Sequence, residues 1–246
     1  MKANYHTHSK WCHHGDGEIE DYIKEALKNN FVELAITDHV CHVDRFSWLR
    51  PEEFSDFDKD LNRCVEEYQD RIKVIKGFEC EYIPAVMDQY KRYREEYGYE
   101  LFILGQHVAG DDGEYNMFGP KDSDVIKRYC QDVITGLQTG FFAYLAHPDV
   151  CLIEYAPGWD KVCEQGFKDI FKTCEELRIP VEFNCNGYRY KKEYPNSECW
   201  KLAKEYDLKY MIGSDAHSPE LLYDNSVKEA EELLKTWGIP VTELLT

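Results

Sequence analysis

The sequence predicts an α/β fold in which seven parallel strands form a closed barrel in a single domain over residues 1–246. Short β-rich runs alternate seven times with amphipathic helical stretches, a pattern typical of parallel strands joined by helices. No linker or low-complexity segment divides the chain. All but one of the predicted strands end in a histidine or a carboxylate. A barrel brings such strand ends to one mouth, whereas an open sheet would spread them along a line.

The elements follow one another with short connections. The first helix carries an apolar stripe that includes Tyr22 and Ala26, and Pro51 and Pro84 suit the first turn of the second and third helices. The predicted strands are Lys2–His6, Val32–Thr37, Ile72–Phe78, Leu101–Leu104, Phe141–Leu145, Pro180–Phe183 and Lys209–Ile212. The predicted helices are 18–29, 51–71, one that begins at Pro84, 123–138, 161–177, 196–206 and 226–237.

Two pairs of side chains at the chain's first and last strands suggest metal binding. His6 and His8 are two residues apart, as are Asp215 and His217. Because successive side chains of a strand alternate faces, each pair can face one cavity. Imidazoles and carboxylates together suit Zn, Mn or Fe rather than Mg or Ca.

The other strand ends extend this set, and with His14, which follows the first strand, seven of the nine histidines belong to it. Unrelated histidines would be scattered over helices and loops, so we predict a multinuclear metal site. Glu81 also faces inward beside Glu79, either as a ligand or as a hydrogen-bond partner of one. The strand-end residues are His6, His39, Glu79, His107, His147, and Asp215 with His217.

The composition excludes several partners. A net charge of −18 argues against a nucleic acid polymer and against anionic membranes, which bind through Lys and Arg. No apolar run approaches the length of a membrane span, and no signal peptide precedes the first strand, so we expect a cytoplasmic protein. The ten cysteines include no C-x-x-C pair, which favours reduced, buried thiols.

These motifs together resemble the polymerase and histidinol phosphatase (PHP) superfamily along essentially the whole chain. The resemblance implies a distorted seven-stranded, TIM-like (β/α)7 barrel that holds two to three divalent ions. His13 stands where many relatives have proline and is expected to be a bystander. The matching motifs are His-x-His, a histidine eight residues after the first, Thr-Asp-His, Gly-x-Glu, a histidine after the fourth strand, His-Pro and Ser-Asp-Ala-His.

The resemblance also implies how the ligands are shared among the ions. The first ion would be bound by His6, His8, Glu79 and Asp215, and Glu79 would bridge to the second. The second would also be bound by His107 and His147. The third would be bound by His14, His39 and His217.

Within the superfamily, the chain looks most like the monofunctional histidinol phosphatases, at Glu182-Phe183-Asn184, Gly187-Tyr188-Arg189 and Tyr194-Pro195. This likeness implies a phosphomonoesterase of histidine biosynthesis that hydrolyses histidinol phosphate with an activated water. The catalytic residues would be Glu79, Asp215 and Arg189. Arg189 would bind the phosphate through its planar fork of donors; the alternative is a solvated arginine beside Lys191 and Lys192.

One departure from these relatives concerns the substrate. They often carry a basic residue shortly after the strand-five histidine, whereas Asp149–Glu154 contains none. The loop 110–116 either covers the mouth with its acids toward a substrate amine or is a plain solvated loop. A phosphodiesterase acting on small nucleotides and a non-catalytic metal-binding domain are the alternative functions. The partner expected is a small phosphorylated substrate; the general acid, Glu81 or a water, and the oligomeric state stay open.

Overall fold

The architecture is taken from a computed structural model that describes residues 1–40 and 48–245. His42 lies outside these residues. The strands are β1 (Ala3–Asn4), β2 (Glu33–Ile36), β3 (His39–Val40), β4 (Lys73–Cys80), β5 (Leu101–Leu104), β6 (Val108–Ala109), β7 (Tyr115–Asn116), β8 (Tyr144–Leu145), β9 (Val181–Asn184) and β10 (Tyr210–Gly213). The α-helices are α1 (Ile19–Lys28), α2 (Phe54–Tyr68), α3 (Met87–Tyr97), α4 (Ser123–Gln138), α5 (Lys161–Leu177), α6 (Cys185–Arg189), α7 (Ser197–Ala203) and α8 (Asn225–Thr236).

The main sheet is a nearly closed barrel of seven parallel strands in the order β1-β2-β4-β5-β8-β9-β10, with β3 added beside β4. The first and last strands meet through a parallel bridge between Thr7 and Ala216, where the N–H of His8 donates to the carbonyl of Ala216 at 2.9 Å. We call this junction the seam. The predicted seven-stranded β/α barrel is therefore confirmed, and its distortion lies at the short strands β1 and β8.

A short antiparallel hairpin stands outside the barrel sheet. It pairs β6 with β7, with Ala109 opposite Tyr115. Two acids of its connecting loop have partners within the protein: Arg128 donates to the carboxylate of Asp111 at 2.5 Å, and the carboxylate of Glu114 accepts from the backbone N–H of Asp112 at 3.3 Å. These contacts favour a plain solvated loop at residues 110–116 over a loop whose acids face a substrate at the barrel mouth.

The core has two layers because each strand buries both faces. A larger layer fills the space between the strands and the helices. A smaller layer fills the barrel interior. Each of its residues comes before the predicted ligand of its own strand. The amino-terminal half of the barrel interior is therefore apolar, and the carboxyl-terminal half is polar. The interior layer consists of Ala3, Tyr5, Ala35, Ile75, Leu101, Ile103, Tyr144, Ala146 and Met211.

Several helices begin at the residues that their sequence indicates. Asp122 and Asp160 accept hydrogen bonds from backbone N–H groups at the starts of α4 and α5, which satisfies donors that have no partner inside the helix. Asn196 and Asp224 do the same for α7 and α8. Within residues 1–40 and 48–245, every helix is too short or too polar to cross a bilayer. The nine cysteines of this part are free and buried.

Candidate metal centre

Glu79 occupies the middle of the polar half of the barrel. It lies near the end of β4, directly opposite His39 of β3 in the sheet register. Its Oε2 is 3.0 Å from Nε2 of His6, 3.1 Å from Nε2 of His8 and 3.1 Å from Nδ1 of His39. The carboxylate is 2 % exposed, so these imidazoles and this oxygen face one another away from solvent.

The other oxygen of Glu79 faces a different pair of histidines. Oε1 is 2.6 Å from Nε2 of His147 and 3.6 Å from Nε2 of His107. The two rings lie 4.6 Å apart, at the ends of the strands after β4. One carboxylate thus divides five histidines into two groups, one on each of its oxygens.

The last strand contributes from the opposite side of the seam. Oδ1 of Asp215 is 3.2 Å from Nε2 of His8 and 3.6 Å from Nε2 of His6. Asn184 donates to its other oxygen at 3.0 Å. The predicted pairs His6 with His8 and Asp215 with His217 therefore do converge, as the alternation of side chains along a strand requires.

A third cluster of imidazoles extends from His8 toward solvent. The ring of His8 stacks between those of His39, at 4.3 Å, and His217, at 4.4 Å, and His14 lies 4.8 Å from His217. The potential ligand atoms of His8, His39 and His217 all lie within 4.8 Å of one another. Cys12 forms a similar group with His14 and His217. His13 points elsewhere, to Glu53 at 2.7 Å.

The ring nitrogens in this cluster show that cations fit the space. Both nitrogens of His8 and Nδ1 of His39 are buried without a hydrogen-bond partner among the described residues, although carboxylate oxygens lie about 3 Å away. Such an arrangement is costly in the absence of a bound group. Lone pairs that point at a shared space beside carboxylates are the donor set that transition metals bind.

Electrostatics separate the histidines of this cluster into two charge states. Burial would raise the pKa values of Glu79 and Asp215, but the surrounding histidines hold both well below their usual range. Burial, with a contribution from the charge of His8, lowers the pKa of His217 to about 3, and burial lowers the pKa of His39 well below its usual value. His39 and His217 are therefore neutral at neutral pH beside the ionised carboxylates. Burial would lower the pKa values of His6, His8 and His107, but the neighbouring carboxylates raise all three, so these imidazoles would release a proton on binding a metal.

Two further carboxylates accept hydrogen bonds from two of the predicted ligand histidines, on the side of each ring that faces away from Glu79. The N–H at Nδ1 of His6 donates to Glu182 at 2.8 Å, and the N–H at Nδ1 of His107 donates to Glu81 at 2.9 Å. In both rings Nε2 is left facing Glu79. A carboxylate in this position fixes the tautomer and the direction of a metal-binding imidazole. Glu81 is thus the hydrogen-bond partner of the predicted ligand His107 in this geometry.

The backbone is also specialised around the cluster. His147 and Asp215 have φ angles of 23° and 46°, a left-handed region that costs non-glycine residues about 1–3 kcal/mol. Gly105 and Gly213 face the carboxylates of Glu79 and Glu182, and a Cβ on either glycine would overlap the carboxylate opposite. Strained or side-chain-free backbone of this kind is concentrated at functional sites.

Arg189 is directed away from this cluster. Its guanidinium donates to Asp224 at 2.8 Å and to the carbonyls of Leu221 at 3.1 Å and Ser214 at 3.4 Å, and its side chain is only 8 % exposed. These contacts tie α6 to the segment after β10 and to the start of α8. They do not support Arg189 as a phosphate clamp, and that role stays a prediction.

A cavity of about 170 Å³ opens above the cluster. Six of the predicted ligands line it: His14, His39, Glu79, His107, Asp215 and His217. The rest of its wall is formed by Phe118, Asn186, Lys192 and Tyr194. The ring of Phe118 stacks on that of His107 at 5.2 Å. The opening therefore combines a polar floor with aromatic sides and one lysine.

Sequence reasoning missed Glu182, Lys192 and Phe118. A signal was present for Glu182, because it stands two residues before Asn184 on an otherwise apolar strand, and both side chains face the barrel interior, where Asn184 donates to Glu182 at 2.8 Å. Lys192 and Phe118 lie on loops, for which no periodic pattern predicts a direction.

Comparisons with known proteins agree with this geometry. Residues 4–186 match the model of the PHP domain. A protein of Schizosaccharomyces pombe named "Probable histidinol-phosphatase" is 25 % identical over 255 residues, covering 89 % of this chain and 81 % of that protein. A Thermotoga maritima protein of the same name is 26 % identical over 224 residues, covering 87 % and 84 %.

A solved structure adds a likeness in fold. The crystal structure of histidinol phosphate phosphatase from Lactococcus lactis, complexed with Zn, L-histidinol and phosphate, superposes with a TM-score of 0.75 at 19 % identity, covering 98 % of this chain and 95 % of that chain. The polymerase and histidinol phosphatase resemblance of the sequence is confirmed by these findings.

Proposed function

This chain belongs to the PHP domain family, and on that premise we propose that it is a metal-dependent hydrolase of phosphoric monoesters. We propose histidinol phosphate as its substrate, with a place in histidine biosynthesis. The observation that carries the proposal is the division of histidines by Glu79, whose Oε2 faces His6, His8 and His39 while Oε1 faces His107 and His147. A carboxylate with imidazoles on both oxygens is suited to bridge two cations.

The family resemblance implies how the ligands are divided among the ions. His6, His8, Glu79 and Asp215 would hold the first ion, and Glu79, His107 and His147 the second. His14, His39 and His217 would hold a third. The imidazole-rich donor set suits Zn, Mn or Fe, and zinc is the metal of the Lactococcus lactis complex.

The residues of the chain act mainly by orientation. Bound divalent cations supply Lewis-acid polarisation of phosphoryl oxygens and lower the pKa of water. Glu182 and Glu81 hold His6 and His107 with Nε2 toward the reacting centre. Asp215 is kept ionised by the nearby histidines. Burial raises the pKa of Tyr194 well above its usual value, so its phenol stays protonated and can donate a hydrogen bond at the cavity wall.

The small cavity supports a small substrate. Its volume of about 170 Å³ suits a phosphate group and part of a leaving alcohol. Two relatives that align with this chain over more than four fifths of their own length are named as probable histidinol-phosphatases. The aromatic side chain of Phe118 on the wall is compatible with a leaving alcohol that carries a planar ring such as an imidazole.

The test combines metal analysis with a substrate panel. Protein purified without added metal is analysed for Zn, Mn and Fe, and phosphate release is measured from histidinol phosphate, an aryl phosphate, a dinucleotide and an aryl diester. We expect two to three ions per chain and the highest kcat/KM for histidinol phosphate. Hydrolysis of the diesters alone, or full activity without bound metal, would contradict the proposal.

A further inference from the structure

The wall of the cavity carries a lysine that forms no ion pair with any described residue. Lys192 lines the cavity above Glu79 and Asp215, and it is the one Lys or Arg among the described residues that line it. Other basic side chains near the barrel mouth are paired: Arg189 with Asp224 and Arg128 with Asp111 and Asp132. Within residues 1–40 and 48–245, the Lys192 ammonium group has no carboxylate within ion-pair distance.

The backbone that carries Lys192 is fixed on both sides. The N–H of Lys192 donates to the carbonyl of Gly187 at 3.0 Å. Further along, the ring of Tyr194 is buried and lies 6.2 Å from that of His147. The N–H of Asn196 donates to the buried carboxylate of Asp149 at 2.6 Å. The segment therefore holds its lysine over the cavity instead of leaving it on a mobile loop.

The negative charge of the site favours a cation on the cavity wall. A phosphate monoester is anionic, and it would approach a floor that includes the ionised Glu79 and Asp215 in a protein of net charge −18. Cations bound at that floor attract the phosphate, but the oxygens that face the opening need a further donor. The segment after His147 offers no basic residue between Asp149 and Glu154, and Arg189 is held by Asp224. Among the residues that the structure describes, Lys192 is the remaining Lys or Arg on the cavity wall.

We infer that Lys192 binds the phosphoryl group of the substrate at the mouth of the cavity. It takes the role of phosphate binding that neither Arg189 nor the segment after His147 is placed to fill. This inference rests on the proposed function, since it assumes a phosphorylated ligand at the cluster. An ammonium group with three donors on a flexible stem can follow the phosphoryl oxygens from the bound ester to the released phosphate. Lys192 is thus a substrate-binding residue in addition to the metal cluster.

The neighbouring lysine provides a matched control. Lys191 and Lys192 are both exposed and adjacent on the same segment, but Lys191 is absent from the cavity wall. Lys192→Met and Lys191→Met remove the same charge from adjacent positions, so the overall electrostatic change is equal. Lys192→Arg keeps the charge and tests for recovery.

The experiment measures binding and turnover separately in the metal-loaded protein. The Kd of inorganic phosphate is determined by calorimetric titration, the kcat and KM for an aryl phosphate by phosphate release, and the metal content by elemental analysis. For Lys192→Met we expect Kd and KM to rise about 10-fold or more, as expected for loss of a charged hydrogen bond. Lys192→Arg should recover part of this loss, Lys191→Met should stay within about twofold of wild type, and all variants should keep their metal.

The outcomes separate this inference from the proposed function. Equal values for Lys192→Met and Lys191→Met in an active, metal-loaded protein would overturn the inference while leaving the phosphatase intact. Phosphate binding that depends on Lys192 in a protein that hydrolyses none of the monoesters would support the inference and overturn the proposed function.

Discussion

The carboxylate of Glu79 occupies the space that a side chain on Gly105 would fill, since a Cβ built on Gly105 would overlap Oε1, Cδ and Cγ of Glu79. Gly105 directly follows β5, and its N–H donates to the carbonyl of Cys80 at 3.0 Å. The glycine therefore sets how closely two neighbouring strands can bring Glu79 to its histidines.

We expect Gly105→Ala to displace the Glu79 carboxylate and to reduce both metal content and turnover. Loss of a group that stabilises the transition state typically costs about 100-fold or more in kcat, and Glu79→Gln should have an effect of the same order. Gly119→Ala is the control, because nothing lies within 4 Å of a Cβ at Gly119. Elemental analysis and phosphate release check this. A Gly105→Ala protein with full metal content and full kcat would refute the bridging position of Glu79.

The second prediction concerns the hydrogen bond between Glu182 and His6. Glu182→Ala should leave Nδ1 of His6 without its acceptor, free the ring to rotate and lower metal affinity or kcat about 10- to 100-fold. Glu182→Gln keeps an acceptor oxygen and should lose less. Titration of metal into the stripped variants gives the affinity. If both variants matched wild type, Glu182 would have only a packing role.

The ion pair of Arg189 with Asp224 should contribute to stability more than to substrate binding. Arg189→Ala removes a charged hydrogen bond from a mostly buried side chain, so we expect the free energy of unfolding to fall by about 1–3 kcal/mol. A double-mutant cycle with Asp224→Asn in urea unfolding should show that the two losses are not additive. The Kd of phosphate should change less for Arg189→Ala than for Lys192→Met; the reverse order would restore Arg189 as the phosphate clamp.

The same pair predicts a dependence of stability on pH. Burial would raise the pKa of Asp224, but hydrogen bonds from Arg189 and from backbone N–H groups lower it below its ordinary value. The stabilisation is therefore present above the ordinary carboxyl pKa of about 4 and is lost as the pH falls through the lower folded value. The difference in unfolding free energy between wild type and Asp224→Asn should shrink in that range.

Removal of metal should lower the melting temperature. The proposed ligands of the first ion come from both sides of the seam, and a ligand present at 100 to 1,000 times its Kd stabilises the folded state by about 3–4 kcal/mol. For a chain of 246 residues, this corresponds to a decrease of about 5–15 °C on chelation. Calorimetry before and after chelation, followed by addition of zinc or manganese, measures it. An unchanged melting temperature would indicate that the seam closes without ions.

The sequence was most informative where one local signal determined the structure. The bounds of α4 and α5 are as predicted, because Asp122 and Asp160 cap amphipathic stretches whose period is that of a helix. The convergence of His6 with Glu79 was also predictable, since it follows from the alternation of strands and helices and from the pairing of side chains on one strand face.

Other features depend on partners far along the chain. The direction of Arg189 is set by Asp224, 35 residues away, and that of Glu182 by His6, 176 residues away. The five-residue helix α6 contains Gly187 and is too short to show a period, although Asn184 accepts a hydrogen bond at its start. Packing between distant segments determines the directions of these side chains and the position of α6. A single sequence carries no signal for such packing.

The seam has a consequence for how the protein is made. Asp215 and His217 follow His6 and His8 by some 200 residues, and they meet them across the seam beside the bridge of Thr7 to Ala216. A nascent chain can thus form most of its strands and helices before the proposed metal-binding arm of His6 and His8 meets its counterpart. Truncation before β10 would leave that arm open, so the proposed site of the first ion would be completed in one late step of synthesis.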